Sequence, residues 1–271
     1  MRLLPACRWG RLRSLSTRSS IIGTLLPRLQ PPRISAPPTT PRYFSDSNPP
    51  YPDARTTEHH DLASYAAYAA RTGLDVDSKL FVGTHFEYTV AAALAPLGFS
   101  IKRVGGRSDG GIDLLGTWAV PSALTPVRVI LQCKVSSRGT NIRPNIVREL
   151  EGTFVGAPVG WRGAGVLGML VAQKPATKGM REAIGRSRWP MGFICCSKDG
   201  NLEQMIWNHK AEEKGLEGVG VAIQFPQGAR SRGRPRLVLT WKGKPYVPER
   251  PSSAEEDNFA AKSVKQSANM K

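Results

Sequence analysis

The segment VRVILQCKV, residues 127–135, decides how the chain is read. Side chains alternate faces along a strand, so Ile130, Gln132 and Lys134 share one side while Val129, Leu131, Cys133 and Val135 share the other. Burying an amide and an ammonium on one face is costly unless something binds them. Upstream, GIDLLGTW (111–118) reads as a second strand with Asp113 inside it. The intervening AVPSALTP loop is short enough for an antiparallel hairpin, which can set Asp113 beside Gln132 and Lys134; the register itself is not written in the sequence. Such a cluster offers oxygen ligands to a divalent cation and leaves Lys134 facing an anion.

Outward from this pair, FSIKRV (99–104) predicts a further strand and two helices precede it. DLASYAAYAARTG (61–73) has Asp61 as N-cap and Gly73 just past its end. In GTHFEYTVAAALAPLG (83–98), Thr84 and Glu87 have capping-box spacing, Phe86, Val90 and Leu94 recur every fourth residue, and Gly98 stops the helix after Pro96. Downstream come a helix with Pro144 in its first turn, a buried strand GVLGMLVA (165–172) and a helix opened by Thr177. The strand MGFICC (191–196) and a helix over NLEQMIWNHKAEEKG (201–215) follow, then strands GVAIQF (220–225) and RLVLTW (236–241). The expected class is α/β, an αβββαβ core with an extra C-terminal helix and strands.

Lys and Arg total 38 against 21 Asp and Glu, a formal charge of +17. Residues 1–44 contribute eight arginines with no lysine and no acid, the composition of a mitochondrial transit peptide; the rival reading is a permanent basic arm. Cleavage is expected after Tyr43 or Phe44, which leaves 30 cations against 21 acids, or +9. That balance favours a nucleic-acid partner, with solubility as the bland alternative. The expected organisation is a transit peptide (1–44), a proline-rich linker (45–60), a folded domain (61–248) and a disordered tail (249–271). Cys133, Cys195 and Cys196 sit in apolar runs and read as buried hydrophobes, and the four histidines show no zinc spacing. No apolar run approaches the roughly 18–20 residues of a membrane span, so the expected location is the mitochondrial matrix. Neither a Walker motif nor a dinucleotide fingerprint appears.

Asp113, a gap, then Gln132, one residue and Lys134 on paired strands resemble the PD-(D/E)xK nuclease superfamily and its αβββαβ core. GTHFE (83–87), SDGGID (108–113) and LQCK (131–134), with the helix IVRELEG (146–152), resemble the Mrr-type restriction endonuclease domain over residues 80–185. Longer stretches are similar to the fungal mitochondrial family named for being required for respiratory growth, protein seven. They include DLASYAAYAARTGLD (61–75), YTVAAALAPLGFSIKRVGGRSDGGIDLLGTW (88–118) and ATKGMREAIGRSRWPMGF (176–193). The resemblance implies a restriction-endonuclease-like fold and a mitochondrial, respiratory role. It places Glu87, Asp113, Gln132 and Lys134 on the site positions, with Asp113, Gln132 and Glu87 holding Mg2+ (or Mn2+) and Lys134 polarising the attacking water. Gln132 departs from the usual Asp or Glu and lowers the negative charge offered to a metal.

The implied activity is Mg2+-dependent endonuclease cleavage, with mitochondrial DNA as the expected partner. The alternative is an inert nuclease-fold scaffold or binding module in mitochondrial gene expression or genome maintenance. Each residue also has a local alternative: Glu87 closes its capping box, Asp113 ends a turn with Asp109, and Lys134 snorkels from a sheet edge. A second motif, RGRPR with Arg230 ahead of it, brings together Arg230, Arg232, Arg234 and Arg236 and resembles an AT-hook core. The strands on both sides favour a basic hairpin loop that touches phosphates.

Overall fold

In the computed structural model, which describes residues 51–52, 56–106, 110–136, 142–225 and 234–248, Asp61 caps the first helix as its sequence predicts. Asp61 Oδ1 accepts from Ser64 N at 2.7 Å, the Ser64 hydroxyl accepts from Asp61 N at 3.0 Å, and Gly73 closes α1 (Leu62–Thr72) in the left-handed region. The second helix corrects its expected start. α2 (Lys79–Leu94) is capped by Ser78, whose hydroxyl accepts from Phe81 N at 3.1 Å, so Thr84 and Glu87 lie inside the helix and form no capping box. Gly83 reads as a boundary in the sequence but is helical, because an interior glycine costs only about 1 kcal/mol, less than the burial of Phe86, Val90 and Leu94 supplies. Pro96 sits in a single 3-10 turn after α2, and Gly98 stops it.

The main sheet has the order β1-β2-β3-β4-β5-β6. β1 (Phe99–Arg103), β2 (Leu114–Trp118) and β3 (Val127–Lys134) form an antiparallel meander. α3 (Asn145–Gly156) then carries the chain to β4 (Val166–Ala172), and α4 (Lys178–Arg186) to β5 (Met191–Cys196), both parallel to β3. This is the expected α/β fold, with the αβββαβ order intact. Pro144 stands at the cap of α3, one place before its first turn.

The alternation in β3 separates two cores. Val129 and Leu131 pack with Phe86, Val90 and Leu94 of α2, whereas Ile130 packs with Leu150 and Phe154 of α3 and Met180 and Ile184 of α4. β4 and β5 are buried along their whole length, as strands covered on both faces must be. Gly168 in β4 has a steric reason: a Cβ there would stand 2.6 Å from Phe154 Cζ, so only glycine lets α3 approach.

Residues 201–215 differ from expectation. β6 (Leu202–Trp207) pairs antiparallel with β5, and only His209–Ala211, α5, is α-helical, followed by a π turn. The hairpin is made by SKDGN, with Gly200 at φ 81° and Ser197 N donating to Asn201 O at 2.8 Å. Asn208 ends the strand: its Oδ1 accepts from Met191 N and Ala211 N, both at 3.1 Å, and its Nδ2 donates to Ile184 O and Trp189 O. A separate sheet, β7 (Val219–Gln224), β8 (Arg236–Trp241) and β9 (Lys244–Pro245), adds Val219, Leu237 and Leu239 to the α2-side core. β7 and β8 pair antiparallel, and residues 226–233 between them, with Arg232 and Gly233 of the RGRPR motif, lie outside the described residues.

Cys195 and Cys196 are buried free thiols that burial pushes up to about 12, whereas Cys133 is half-buried. No helix among the described residues is long and apolar enough to cross a membrane. The expected transit peptide (1–44) and tail (249–271), most of the expected linker (45–60), Asp109, Arg230 and Arg232 lie outside the described residues.

α1 is fastened to α2 by aromatic contacts around His59, whose Nδ1 lies 2.8 Å from the Tyr88 hydroxyl and whose ring stands edge-on to Tyr65 at 4.8 Å. Burial, then the nearby Arg103 charge, hold this imidazole below its ordinary value. A histidine titrating lower in the fold than in the open chain leaves stability complete above about pH 6.5 and erodes it as pH falls below that. NMR titration should give a His59 midpoint below the ordinary imidazole value of about 6.5. The melting temperature of His59→Phe, which keeps the ring contacts, should fall less than wild type between about pH 7 and about pH 5. An unshifted midpoint would contradict this.

Candidate functional site

Asp113 stands at the mouth of β2 rather than inside it, because the paired strand begins at Leu114. It is still held as part of the ladder. Asp113 N donates to Leu131 O at 3.0 Å, and Asp113 O accepts from Val104 N and Gly105 N at 2.9 and 2.8 Å. Leu114 pairs with Leu131, so the register continued by one residue sets Asp113 opposite Gln132, as the hairpin reading required. Its Oδ2 accepts from Cys133 N at 2.6 Å, which aims the carboxylate at the β3 backbone between Gln132 and Lys134.

Gln132 is only 3% exposed, and its Oε1 has no hydrogen-bond partner among the described residues. Leaving a buried acceptor unsatisfied costs about 1–3 kcal/mol, so the amide is poised for something the chain itself does not provide. Two glycines keep the space around it open. A Cβ on Gly111, which sits at φ 83°, would come within 2.8 Å of Gln132 Nε2, and one on Gly105 within 3.3 Å of Asp113 Oδ1. The glycine-rich run of the sequence therefore serves the two polar side chains directly.

Lys134 ends β3, which lies between β2 and β4, so it does not snorkel from a sheet edge. Its Nζ lies 3.5 Å from Glu149 Oε2 on α3. Both side chains are substantially exposed, and such pairs contribute about 0–1 kcal/mol, so an anionic ligand can compete for the ammonium.

Glu87 reaches the neighbourhood from the other face. Its Oε2 accepts a hydrogen bond from Arg103 Nε at 2.5 Å, with the two side chains 13% and 15% exposed, and Arg103 also lies over the Tyr88 ring at 5.8 Å. Cys133 lies among these charges: burial chiefly, then Asp113 and Glu87, push its thiol well above the ordinary range, while Lys134 opposes them. The structure thus sets Asp113 opposite Gln132, with Lys134 two residues on along the same face, whereas Glu87 sits on α2 at the other face, engaged by a guanidinium. Arg103, Glu149 and Gly111 were missed from sequence. The β1 alternation signals Arg103, since Phe99 and Ile101 on the same face pack toward α2, but nothing local signals Glu149.

Arg234, just before β8, and Arg236, at its start in the second sheet, are exposed. Among the described residues, no three His, Cys, Asp or Glu side chains gather as a metal cage.

The family described as Required for respiratory growth protein 7 matches residues 78–126 and 120–223, more than half of the chain. The chain belongs to this family. Membership implies a mitochondrial role in respiratory growth. An uncharacterized mitochondrial protein of Schizosaccharomyces pombe is 32% identical over 157 residues, covering 56% of this chain and 61% of that protein. The match thus spans less than two thirds of the relative's length. A solved structure, the MspJI restriction endonuclease in complex with a 27-mer oligonucleotide, overlaps 49% of this chain and 29% of its own, at 19% identity and a TM-score of 0.31. No function is carried over from so partial a likeness.

Proposed function

We propose that this member of the Required for respiratory growth protein 7 family is a nucleic-acid phosphodiesterase of the mitochondrial matrix, with Asp113, Gln132 and Lys134 at its reacting centre. The observation that carries the reading is the buried, unpartnered Gln132 Oε1 set opposite Asp113 and two residues from Lys134. One carboxylate plus one amide oxygen fits Mg2+, which keeps several waters and shares substrate phosphate oxygens instead of taking an all-protein cage. When bound, the ion supplies Lewis-acid polarisation of the phosphoryl group.

Asp113 and Gln132 would be its direct holders. Glu87 would join only through water or after leaving Arg103. Asp113 is oriented by Cys133 N–H, so its carboxylate reaches the site without reorganisation. Lys134, freed from Glu149 by the incoming phosphate, orients the attacking water and offsets the charge that grows on the phosphorane oxygens. Arg234 and Arg236, with Arg230 and Arg232 before them in the sequence, would add phosphate contacts without base reading.

The Glu87–Arg103 pair favours a second reading, an inert nuclease-fold binding module, because it neutralises the carboxylate a metal would use. Nicking of supercoiled plasmid by the full chain over a Mg2+ and Mn2+ series, with RNA in parallel and Mg2+ calorimetry beside it, separates the two. Metal heat together with cleavage supports the enzyme. Nucleic-acid binding with neither metal heat nor cleavage selects the binding module. In the same assay Gln132→Glu, by adding a formal negative ligand, should tighten Mg2+ and raise any cleavage rate. Looser Mg2+ in that variant would count against Gln132 as a ligand.

A further inference from the structure

A cleft of about 870 Å3 opens where the chain leaves β3, β4 and β5 at their carboxyl ends, beside the start of α2. In open α/β sheets this end is where ligands bind, and it is the end of β3 that carries Gln132 and Lys134, which stand next to the cleft residues Val135 and Ser136 in the chain without lining the cleft themselves. The cleft is lined by Lys79 of α2, Ser136 after β3, Gln173 and Lys174 after β4, and Lys198 after β5. All three lysines are exposed, and none forms an ion pair among the described residues. The N-terminus of α2, sixteen residues long with no acid in its first turn, adds the positive end of its dipole. Asp77 and Asp199 also line the cleft and leave a local excess of one positive charge, which predicts modest affinity.

We propose that this cleft holds the sugar-phosphate backbone of one unpaired nucleic-acid strand leading to or from the Asp113–Gln132–Lys134 centre, read without regard to base. The inference rests on the phosphodiesterase reading and extends it to the form of the substrate. The lining favours a polyanion over a free nucleotide: none of its described residues is aromatic, so no base can stack, while three ammonium groups on separate elements suit successive phosphates. Its volume is that of a small-molecule site, roughly 300–1,000 Å3. That is room for a few nucleotides of one strand but not for a duplex whose major groove alone is about 12 Å wide.

The test is fluorescence anisotropy of the full chain in EDTA with unpaired DNA and RNA 20-mers of differing base composition and with a blunt duplex, over a salt series. Wild type should bind unpaired strands more tightly than duplex and equally across base compositions. Lys79→Ala/Lys174→Ala/Lys198→Ala should weaken unpaired-strand binding about tenfold or more and lower the salt slope by about 2, at about 0.7 for each lost contact. The Lys→Arg triple, which keeps the charges, should bind as wild type does. Unchanged affinity and slope in the alanine triple, a loss confined to duplex, or a wild type that binds no unpaired strand would overturn the cleft. Hydrolysis of bis(4-nitrophenyl) phosphate by wild type, lost in Asp113→Asn, reads the catalytic centre separately. Hydrolysis without lysine-dependent binding sinks the cleft alone, and lysine-dependent binding without hydrolysis sinks the catalytic reading alone.

Discussion

Asp113→Asn should reduce cleavage of nucleic acid by the full chain at least about a hundredfold, the scale on which one preorganised electrostatic group in a reacting centre acts. Asparagine is the informative choice because it keeps an oxygen able to accept from Cys133 N, which Asp113 now binds at 2.6 Å, so the mouth of β2 stays assembled. What it removes is the charge, and the calorimetric Mg2+ signal should vanish with the activity. Lys134→Ala should divide these effects differently. The metal heat survives, while the rate falls by roughly a hundredfold to a thousandfold, since Lys134 acts where negative charge develops. Loss of the Lys134–Glu149 pair, at 3.5 Å and partly exposed, should barely move the melting temperature. If both variants match wild type in metal heat and in cleavage, the cluster has no catalytic part.

Arg103→Leu should be the most destabilising single change near the site. It strands the Glu87 carboxylate, 13% exposed and paired with Arg103 Nε at 2.5 Å, inside the α2–β1 interface. Removing one partner of a buried pair costs about 3–5 kcal/mol, which for a domain of this size lowers the melting temperature by roughly 6–20 °C. Adding Glu87→Gln in the same chain should restore most of the loss, because the uncompensated charge is then gone. The variant also tests Glu87 as a metal ligand. If Glu87 can hold Mg2+ once released, saturating Mg2+ should raise the melting temperature of Arg103→Leu well above its effect on the double variant. Equal Mg2+ responses in the two would assign Glu87 a purely structural role.

The features legible in the sequence were those whose cause is local. Asp61 and Gly73 fix α1 because a side-chain oxygen and a positive φ are satisfied within one turn of helix. The alternation of VRVILQCKV placed Gln132 and Lys134 on one face, and the strand bears it out, since period two is a property of the extended backbone itself. The sequence misled where two local signals competed. Thr84 and Glu87 mimic a capping box inside a helix that Ser78 had already started, and LEQMIW carries enough polar residues to look helical until SKDGN folds it back on β5.

What the sequence alone determined is the element order as far as β5, the two faces of β3 and the residue types available to a site. Tertiary structure decided which of them meet. That Asp113 opposes Gln132 depends on register, which a hairpin loop permits but does not set. That Glu87 is held by Arg103, and Lys134 by Glu149, depends on how α2 and α3 are seated on opposite faces of the sheet, through packing spread over residues distant in the chain. The unpartnered state of Gln132 Oε1 is likewise a property of the packed interior, where water that would satisfy the amide in an open chain is excluded.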